Sequence, residues 1–300
     1  MTDKSTRCGH IALIGAPNVG KSTLLNAMVG SKIAIVSRKV QTTRARIVAI
    51  GMVEEAQLVF VDTPGIFRPR RRLDRAMVAA AWAGAADADV ICFLVDAARG
   101  LDAEGRAVLD RLEHERVPVW LIINKVDLVP KPILLELTKT LNERLAFART
   151  YMISALQGSG TDTLRKALAE AVPEGPWHYP PDQLADIPER LLAAEITREK
   201  IYDRLHEELP YATTVETETW EEKRDGSVRI GQVIFVEREG QRAIVLGHRG
   251  ETVKLIGATA RMELEALFDR KVHLFLFVKV RENWGDDPER YRAMGLDFGD

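Results

Sequence analysis

Apolar positions in the first half of the chain form short continuous runs, and these runs alternate with stretches of helical period. The continuous runs predict buried strands at 10–14, 47–53, 57–61, 90–96, 117–124 and 151–153. The periodic stretches predict helices at 21–29, 73–83, 104–114, 133–145 and 163–172. This alternation predicts an α/β fold with a mainly parallel sheet and helices on both faces. Glu54 and Glu55 separate two of the runs and predict a hairpin, so one edge strand should be antiparallel.

The pattern changes near residue 172. Residues 172–189 hold five of the thirteen prolines and predict a linker. Beyond it, the order α-β-β-α-β is typical of an α+β domain, with elements at 190–208, 211–220, 228–237, 252–268 and 272–280. Residues from Trp284 onward show no clear period. We therefore predict a first domain, a linker, a second domain and a C-terminal tail at 8–173, 174–188, 189–284 and 285–300.

The composition is that of a globular cytoplasmic protein. The 300 residues are 46% apolar and carry a net charge of −2, so any surface for nucleic acid has to be local. Cys8 and Cys92 lie far apart and outside any C-x-x-C motif, which is typical of free thiols in a reducing compartment. The N-terminus lacks the apolar segment of a signal peptide, and no apolar run approaches the roughly 20 residues that span a bilayer.

The motif G-x-x-x-x-G-K-S occupies residues 15–22, after the first predicted strand and at the start of the first predicted helix. In this setting the pattern is specific for a phosphate-binding loop. Glycines let backbone amides wrap around phosphate, and the helix N-terminus adds its positive end. Lys21 would contact the β- and γ-phosphates, and the Ser22 hydroxyl would bind Mg²⁺. The nucleotide contacts that we predict here are Gly15, Ala16, Pro17, Asn18, Val19, Gly20, Lys21, Ser22 and Thr23.

Two further segments predict the metal and γ-phosphate side of this site. The segment LVFVDTPG places Asp62 at a strand end, where its carboxylate would hold Mg²⁺ through water. Gly65 has no side chain, so its amide can approach the γ-phosphate. Thr42 or Thr43 would supply a hydroxyl that closes over the metal, and we favour Thr43. The predicted catalytic residues are Lys21, Thr43, Asp62 and Gly65, and the predicted Mg²⁺ ligands are Ser22, Thr43 and Asp62.

The segment LIINKVDL predicts which base is bound, because it ends a strand with Asn124, Lys125 and Asp127. The Asp127 carboxylate can accept hydrogen bonds from guanine N1–H and from the 2-amino group. Adenine offers neither donor at that place, and the unpaired acceptor would reject it. The Lys125 stem can lie over the base, and Ser154-Ala155 fits a loop whose backbone amide binds guanine O6. These residues predict a site for GTP rather than ATP.

This set of motifs, in this order, resembles the TrmE–Era–EngA branch of the translation-factor-like GTPases from residue 11 to about residue 172. The resemblance implies that Asn18, within the loop form G-x-P-N-V-G-K-S, is a candidate K⁺ ligand. Position 66, directly after the DTPG segment, is isoleucine, whereas Ras-type enzymes use a glutamine there to orient the attacking water. We therefore expect slow intrinsic GTP hydrolysis, with the water positioned by another group.

A G-x-x-G motif at 247–250 lies between an apolar segment and an amphipathic helix of the second domain. KH modules use such a loop to bring their backbone close to four nucleotides of single-stranded RNA. Residues 241–261 carry four basic side chains and one acidic one, a local excess of positive charge. The RNA contacts that we predict are Arg242, Gly247, His248, Arg249, Gly250 and Lys254. An apolar groove for bases would be lined by Ala243, Ile244, Val253 and Ile256.

The order of elements around this motif matches a type II KH domain, and segments such as PERLLAAEITREK, VIFVEREGQRAIVLG and VHLFLFVKVRENW resemble the Era family. Periodicity leaves 242–246 open between a strand and a helical turn, and the resemblance favours a helix. The resemblance implies a GTPase that binds the 3′ end of 16S rRNA, assists maturation of the small ribosomal subunit and associates loosely with the inner membrane. We expect a monomer. Ala16 stands where an arginine or lysine is common in the family.

Two other interpretations of these motifs remain open. One is a P-loop ATPase or kinase acting on a small molecule, against which the motif N-K-x-D at 124–127 argues. The other is a GTPase whose second domain binds protein, with G-x-x-G serving as a turn between helices. A basic cluster after the DTPG segment is either a solvated face or an RNA-contacting patch, and its members are Arg68, Arg70, Arg71, Arg72 and Arg75.

Overall fold

Seven of the strands in the described part of the chain build the sheet of the first unit. The structure, a computed structural model, describes residues 5–37, 39, 44, 47–62, 64–69, 71–206 and 209–298. In chain order these strands are β1 Arg7–Ile14, β2 Ile47–Val53, β3 Ala56–Asp62, β4 Val90–Asp96, β5 Val119–Asn124, β6 Arg149–Met152 and β7 Ala185–Asp186. They lie in the order β6-β5-β4-β1-β3-β2-β7. The predicted hairpin at Glu54 and Glu55 is confirmed, but the edge strand is β7 rather than β2.

Helices cover both faces of this mainly parallel sheet, which confirms the predicted fold class. They are α1 Lys21–Val29, α2 Arg72–Ala86, α3 Ala103–Leu112, α4 Lys131–Arg144 and α5 Thr161–Ala171. On one face, α2, α3 and α4 bury Ala81, Val108 and Leu141 in a cluster that includes Ala12 and Ile14 of β1. The remaining two helices, α1 and α5, pack against β2 and β3. Burying both faces in this way removes most of the apolar surface of the strands from water.

The carboxyl ends of the parallel strands meet at one edge of this sheet, as the pairing register requires. Leu13 of β1 pairs with Asp62 of β3, and Asp96 of β4 pairs with Asn124 of β5. In open α/β sheets, ligands bind outside the carboxyl ends of the strands. The fold therefore collects the loops that carry the predicted nucleotide motifs at a single edge.

The segment predicted as a linker, 174–188, is hydrogen-bonded to the first unit up to residue 186. The buried Gln57 side chain accepts hydrogen bonds from the amides of His178 and Tyr179, at 2.9 and 3.0 Å, and donates one to the Tyr179 carbonyl at 2.8 Å. The Ile50 amide donates to the Leu184 carbonyl at 2.8 Å, next to the short strand β7. The proline-rich composition is therefore compatible with an ordered edge strand.

The second unit is an α+β domain. Its elements are α6 Glu189–Arg204, β8 Thr213–Glu222, β9 Val228–Val236, α7 Glu239–Leu246, α8 Glu251–Phe268 and β10 Val272–Val280. The sheet order is β10-β9-β8, with β10 parallel and β8 antiparallel to β9. Residues 239–246 are helical, as the family resemblance favoured. The tail predicted to have no period contains a short helix, α9 Pro288–Ala293.

The chain folds into two compact units, and each unit is made of segments that are separated in the sequence. One unit comprises Met1–Ala34, Thr43–Asp186 and Tyr291–Asp300, and the other comprises Ile35–Thr42 and Ile187–Arg290. Ile35 is buried in a core cluster of the second unit with Ala193 and Ile230. The Val36 amide donates a hydrogen bond to the buried Glu199 carboxylate at 2.7 Å. The segment that begins at Ile35 therefore belongs to the second unit. The predicted domain bounds, 8–173 and 189–284, place it in the first domain instead.

Within the described residues, no helix is both long enough and apolar enough to cross a membrane.

Candidate functional site

The phosphate-binding loop closes around the Lys21 side chain. The loop leaves β1 after Ile14 and enters α1 at Lys21, with left-handed backbone at Asn18 (φ 64°) and Gly20 (φ 100°). The Lys21 amine donates to the carbonyls of Gly15 and Ala16, both at 3.1 Å. Burial lowers the pKa of Lys21 to about 8, and the nearby charge of Asp62 opposes that shift. An anion bound in the loop would favour the charged amine further.

The two predicted Mg²⁺ ligands with described positions lie side by side. The Ser22 hydroxyl at the start of α1 donates to the Asp62 carboxylate at 3.1 Å, and Asp62 is fully buried at the end of β3. A hydroxyl and a carboxylate are hard oxygen donors of the kind that Mg²⁺ prefers, and nucleotide phosphates and water usually complete its six ligands. These side chains therefore fit a magnesium ion. Thr42 and Thr43 lie outside the described residues.

The DTPG segment returns to the phosphate-binding loop at Gly65. A Cβ atom at Gly65 would lie 3.0 Å from Pro17 Cα, so a larger residue would press on the loop. The Ile66 amide donates to the Gly15 carbonyl at 3.1 Å. The Ile66 side chain is buried in the core cluster with Trp82. A glutamine in its place would therefore occupy the core position unless the segment rearranged.

Asn124 links the phosphate loop to the loop after β6. Its amide nitrogen donates to the Val19 carbonyl and its amide oxygen accepts from the Ala155 amide, both at 2.9 Å. The Ser154 amide donates to the Ser159 carbonyl at 2.9 Å. The amides of Ser154 and Ala155 thus have partners within the chain, so binding of guanine O6 by either would require its hydrogen to be shared.

Lys125 and Asp127 extend from the same strand end. Lys125 has left-handed backbone (φ 63°), and its amine donates to the Asn18 carbonyl at 2.7 Å and to the Asp96 carboxylate at 2.6 Å. Asp127 is exposed in a 3₁₀ turn, Val126–Leu128. The exposed carboxylate is available to a ligand approaching this edge of the sheet.

Two residues at this edge were missed by the sequence analysis. Asp96 holds the Lys125 amine, and the Arg99 guanidinium donates to the Pro17 carbonyl at 3.4 Å. Asp96 has a sequence signal, because it ends a buried strand as Asp62 does. Arg99 has no comparable signal in the sequence, since the turn after β4 determines its direction.

The G-x-x-G loop of the second unit joins α7 to α8. Gly247 (φ 71°) ends α7 and Gly250 (φ 79°) precedes α8, and the Gly250 amide donates to the Gly247 carbonyl at 3.2 Å. A Cβ at Gly247 would lie 2.1 Å from the Thr252 hydroxyl oxygen, whereas one at Gly250 would meet nothing within 4 Å. His248 and Arg249 are exposed at the tip. Both positions therefore require a backbone conformation that favours glycine, and Gly247 also needs the close packing against Thr252.

The predicted RNA residues next to this loop differ in exposure. Lys254 and Arg242 are exposed, and Arg242 also donates to the Val278 carbonyl at 3.2 Å. Ile256 is fully buried in the core with Val245, so its assignment to the groove was wrong. Ile244 is 58% exposed. Helical periodicity alone therefore did not show that Ile256 lies on the core face of α8.

The basic cluster after the DTPG segment is partly engaged within the first unit. The Arg71 amide donates to the Asp74 carboxylate at 3.0 Å, which caps α2. The Arg72 guanidinium stacks over the Phe298 ring at 4.4 Å. Arg70 lies outside the described residues.

The fold and the site together define a P-loop GTPase domain followed by a KH domain. A family model described as "50S ribosome-binding GTPase" matches residues 10–125, and a KH domain model matches residues 208–285. The GTPase Era of Bradyrhizobium sp. (strain ORS 278) is 64% identical over 297 residues, covering 98% of this chain and 96% of that protein. The GTPase Era of Brucella suis biovar 1 is 63% identical over 293 residues, covering 98% and 94%.

Solved structures agree with this relationship. A crystal structure of an Aquifex aeolicus Era variant bound to GDP and AlF₄⁻ has a TM-score of 0.92 and 37% identity, covering 97% of this chain and 99% of that chain. A structure of Era in complex with MgGDPNP and nucleotides 1506–1542 of 16S ribosomal RNA has the same score, identity and coverage. The chain belongs to the GTPase Era family. It is a GTPase that converts GTP and water to GDP and phosphate, and the predicted family resemblance is confirmed.

Gly20→Ala is expected to weaken GDP binding by about tenfold or more, because forcing a methyl group into a packed site typically costs about 1–3 kcal/mol. The new Cβ would lie 2.3 Å from the Asn124 amide nitrogen. Gly30→Ala is the matched control, since Gly30 also has positive φ but a Cβ there meets nothing within 4 Å. Titration with fluorescent GDP measures both variants. Equal losses in the two would show that backbone strain, not the Asn124 contact, limits binding.

Proposed function

We propose that this chain is a GTP-dependent switch that binds the 3′ end of 16S rRNA and assists maturation of the small ribosomal subunit. The observation that carries the proposal is the G-x-x-G loop, with its exposed Arg249, in a KH domain joined to a GTPase domain. Family membership supports the partner, because Era has been crystallised with nucleotides of 16S rRNA and a GTP analogue.

In this proposal the phosphates lie in the 15–22 loop, where the Lys21 amine contacts the β- and γ-phosphates. Ser22 and Asp62 would hold Mg²⁺, which would neutralise phosphate charge. The pair fits that role because a hydroxyl and a buried carboxylate lie 3.1 Å apart. Thr43 is the proposed third Mg²⁺ ligand in the GTP state. Asn18 is the proposed K⁺ ligand, on the basis of the family resemblance.

Guanine is selected by Asp127, whose exposed carboxylate accepts from N1–H and from the 2-amino group. The Lys125 stem lies along the base, and the 154–155 loop faces O6. Water attacks the γ-phosphorus, the new P–O bond forms, and the bond to the β–γ bridging oxygen breaks to release GDP and phosphate. The Gly65 amide contacts the γ-phosphate. Intrinsic hydrolysis is slow because Ile66 is packed in the core and cannot orient the water.

Nucleotide state reaches the RNA domain through the segment that begins at Ile35. That residue is packed in the core of the second unit, and Glu199 of α6 holds the next amide. Thr42 and Thr43, the residues proposed to respond to GTP, follow this segment in the sequence.

Several finer assignments stay predictions. A monomeric state and a cytoplasmic location with peripheral association at the inner membrane come from composition and family resemblance. A role of the basic cluster at 68–75 in RNA contact also stays a prediction. The alternative function, a second domain that binds protein, remains as an outcome of the RNA experiment below.

Asp127→Asn is expected to weaken GDP binding by about 10- to 100-fold, the cost of losing hydrogen bonds to a charged group. Xanthosine diphosphate should bind the variant better than it binds the wild type, because an asparagine amide can donate to the xanthine O2 atom. Competition of each nucleotide against fluorescent GDP measures the preference. Asp110→Asn, at an exposed carboxylate on α3, is the control and should leave it unchanged. Tighter binding of ADP than GDP by the wild type would contradict guanine selection.

Gly250→Asp is expected to weaken binding of a single-stranded 16S rRNA 3′-end oligonucleotide by about tenfold, since it places a negative charge where phosphates approach. Aspartate tolerates left-handed backbone better than most residues, and the position is open. Gly226→Asp is matched to it, because Gly226 has φ 81° and equally open surroundings in the turn between β8 and β9. If both folded variants bind RNA like the wild type, the loop is a turn and the second domain binds something else.

A further inference from the structure

Asp96 is a buried carboxylate at the nucleotide edge that none of the assignments above uses. It ends β4 opposite Asn124 on β5, and 3% of its surface is exposed. One carboxylate oxygen accepts from the Lys125 amine at 2.6 Å, and the other accepts from the Ala98 amide at 2.9 Å. Both oxygens therefore have donors, and Lys125 supplies the countercharge that burial of a carboxylate requires.

Lys125 itself needs support from its surroundings. Its left-handed backbone (φ 63°) is uncommon for a residue with a long side chain. Such backbone persists where neighbouring contacts over-determine it. Here the amine spans two fixed points, the Asp96 carboxylate and the Asn18 carbonyl at 2.7 Å. The side chain thereby connects the end of β4 to the phosphate-binding loop.

We infer that Asp96 is a positioning residue for guanine-nucleotide binding, which fixes Lys125 against the phosphate-binding loop before the nucleotide arrives. The inference rests on the proposed function, in which the Lys125 stem lies along the base. Both carboxylate oxygens of Asp96 are taken by donors within the chain, so Asp96 acts through Lys125. A pre-organised site avoids ordering its side chains at binding, and in related complexes such gains appear mainly as slower dissociation. The expected effect is therefore on the residence time of GDP and GTP.

A purely structural role for Asp96 would be to close the turn after β4. The Ala98 amide binds its side chain, and the amides of Arg99 and Gly100 bind its backbone carbonyl. Asparagine keeps an oxygen for the Ala98 amide but removes the charge that faces Lys125. Asp96→Asn therefore separates the turn from the ion pair.

The test is the dissociation rate of fluorescent GDP from the full-length protein with Mg²⁺, measured for Asp96→Asn, Lys125→Met and the double variant. Asp96→Asn should dissociate GDP about tenfold faster or more, the effect of losing one charge-assisted hydrogen bond. The double variant should be no faster than Lys125→Met, because both changes remove one contact. Asp96→Glu keeps the charge and should stay closer to the wild type.

Asp110→Asn is the matched control, because it breaks an exposed pair with Arg144 at 2.5 Å and should leave dissociation unchanged. An unchanged rate in Asp96→Asn, or rate effects of the two single changes that multiply in the double variant, would overturn the inference. Asp127→Asn distinguishes the two levels of the argument. If it fails to alter base preference, the proposed nucleotide site is wrong. If it alters preference while Asp96→Asn has no effect, only the role of Asp96 is wrong.

Discussion

The side-chain amide of Asn124 is the interaction on which the nucleotide site depends. It donates to the Val19 carbonyl and accepts from the Ala155 amide, so one buried group joins the loop for phosphate to the loop for the base. A primary amide suits this place because it offers both a donor and an acceptor, whereas a carboxylate or an aliphatic side chain would leave a buried partner unpaired. The parallel sheet makes the contact possible, because it ends β1 and β5 at the same edge.

The KH domain uses the same principle of a short loop between two rigid elements. Gly247 allows α7 to end against Thr252, and Gly250 turns the chain into α8. Basic side chains are concentrated near this loop, whereas the whole chain is close to neutral. The positive charge is therefore local. The segment from Ile35 belongs to this second unit, although in sequence it comes shortly after α1, the helix that follows the phosphate-binding loop. The chain therefore runs from the phosphate-binding loop through α1 into the unit that carries the G-x-x-G loop.

Much of the fold and of the nucleotide site could be predicted from the sequence, and the features that could not be predicted have physical reasons. The strands 47–53 and 90–96 and the helix 21–29 have the predicted bounds, because buried runs and a Gly-Lys start are strong local signals. Strand β7 is two residues long, and its placement depends on pairing with β2 rather than on local pattern. Ile244 on α7 and Ile256 on α8 are both apolar helical residues, and only tertiary packing buries Ile256 and leaves Ile244 exposed. The contact between Asp96 and Lys125 depends on the pairing register of β4 and β5, which hydrophobic periodicity does not predict.

The proposed switch requires that nucleotide state controls RNA affinity. Binding of a 16S rRNA 3′-end oligonucleotide, measured with GDP and with a non-hydrolysable GTP analogue at one stated salt concentration, tests it directly. We expect the RNA affinities of the two nucleotide states to differ by about tenfold, within the usual range of coupling between sites. Equal affinities in the two states would contradict nucleotide control of RNA binding.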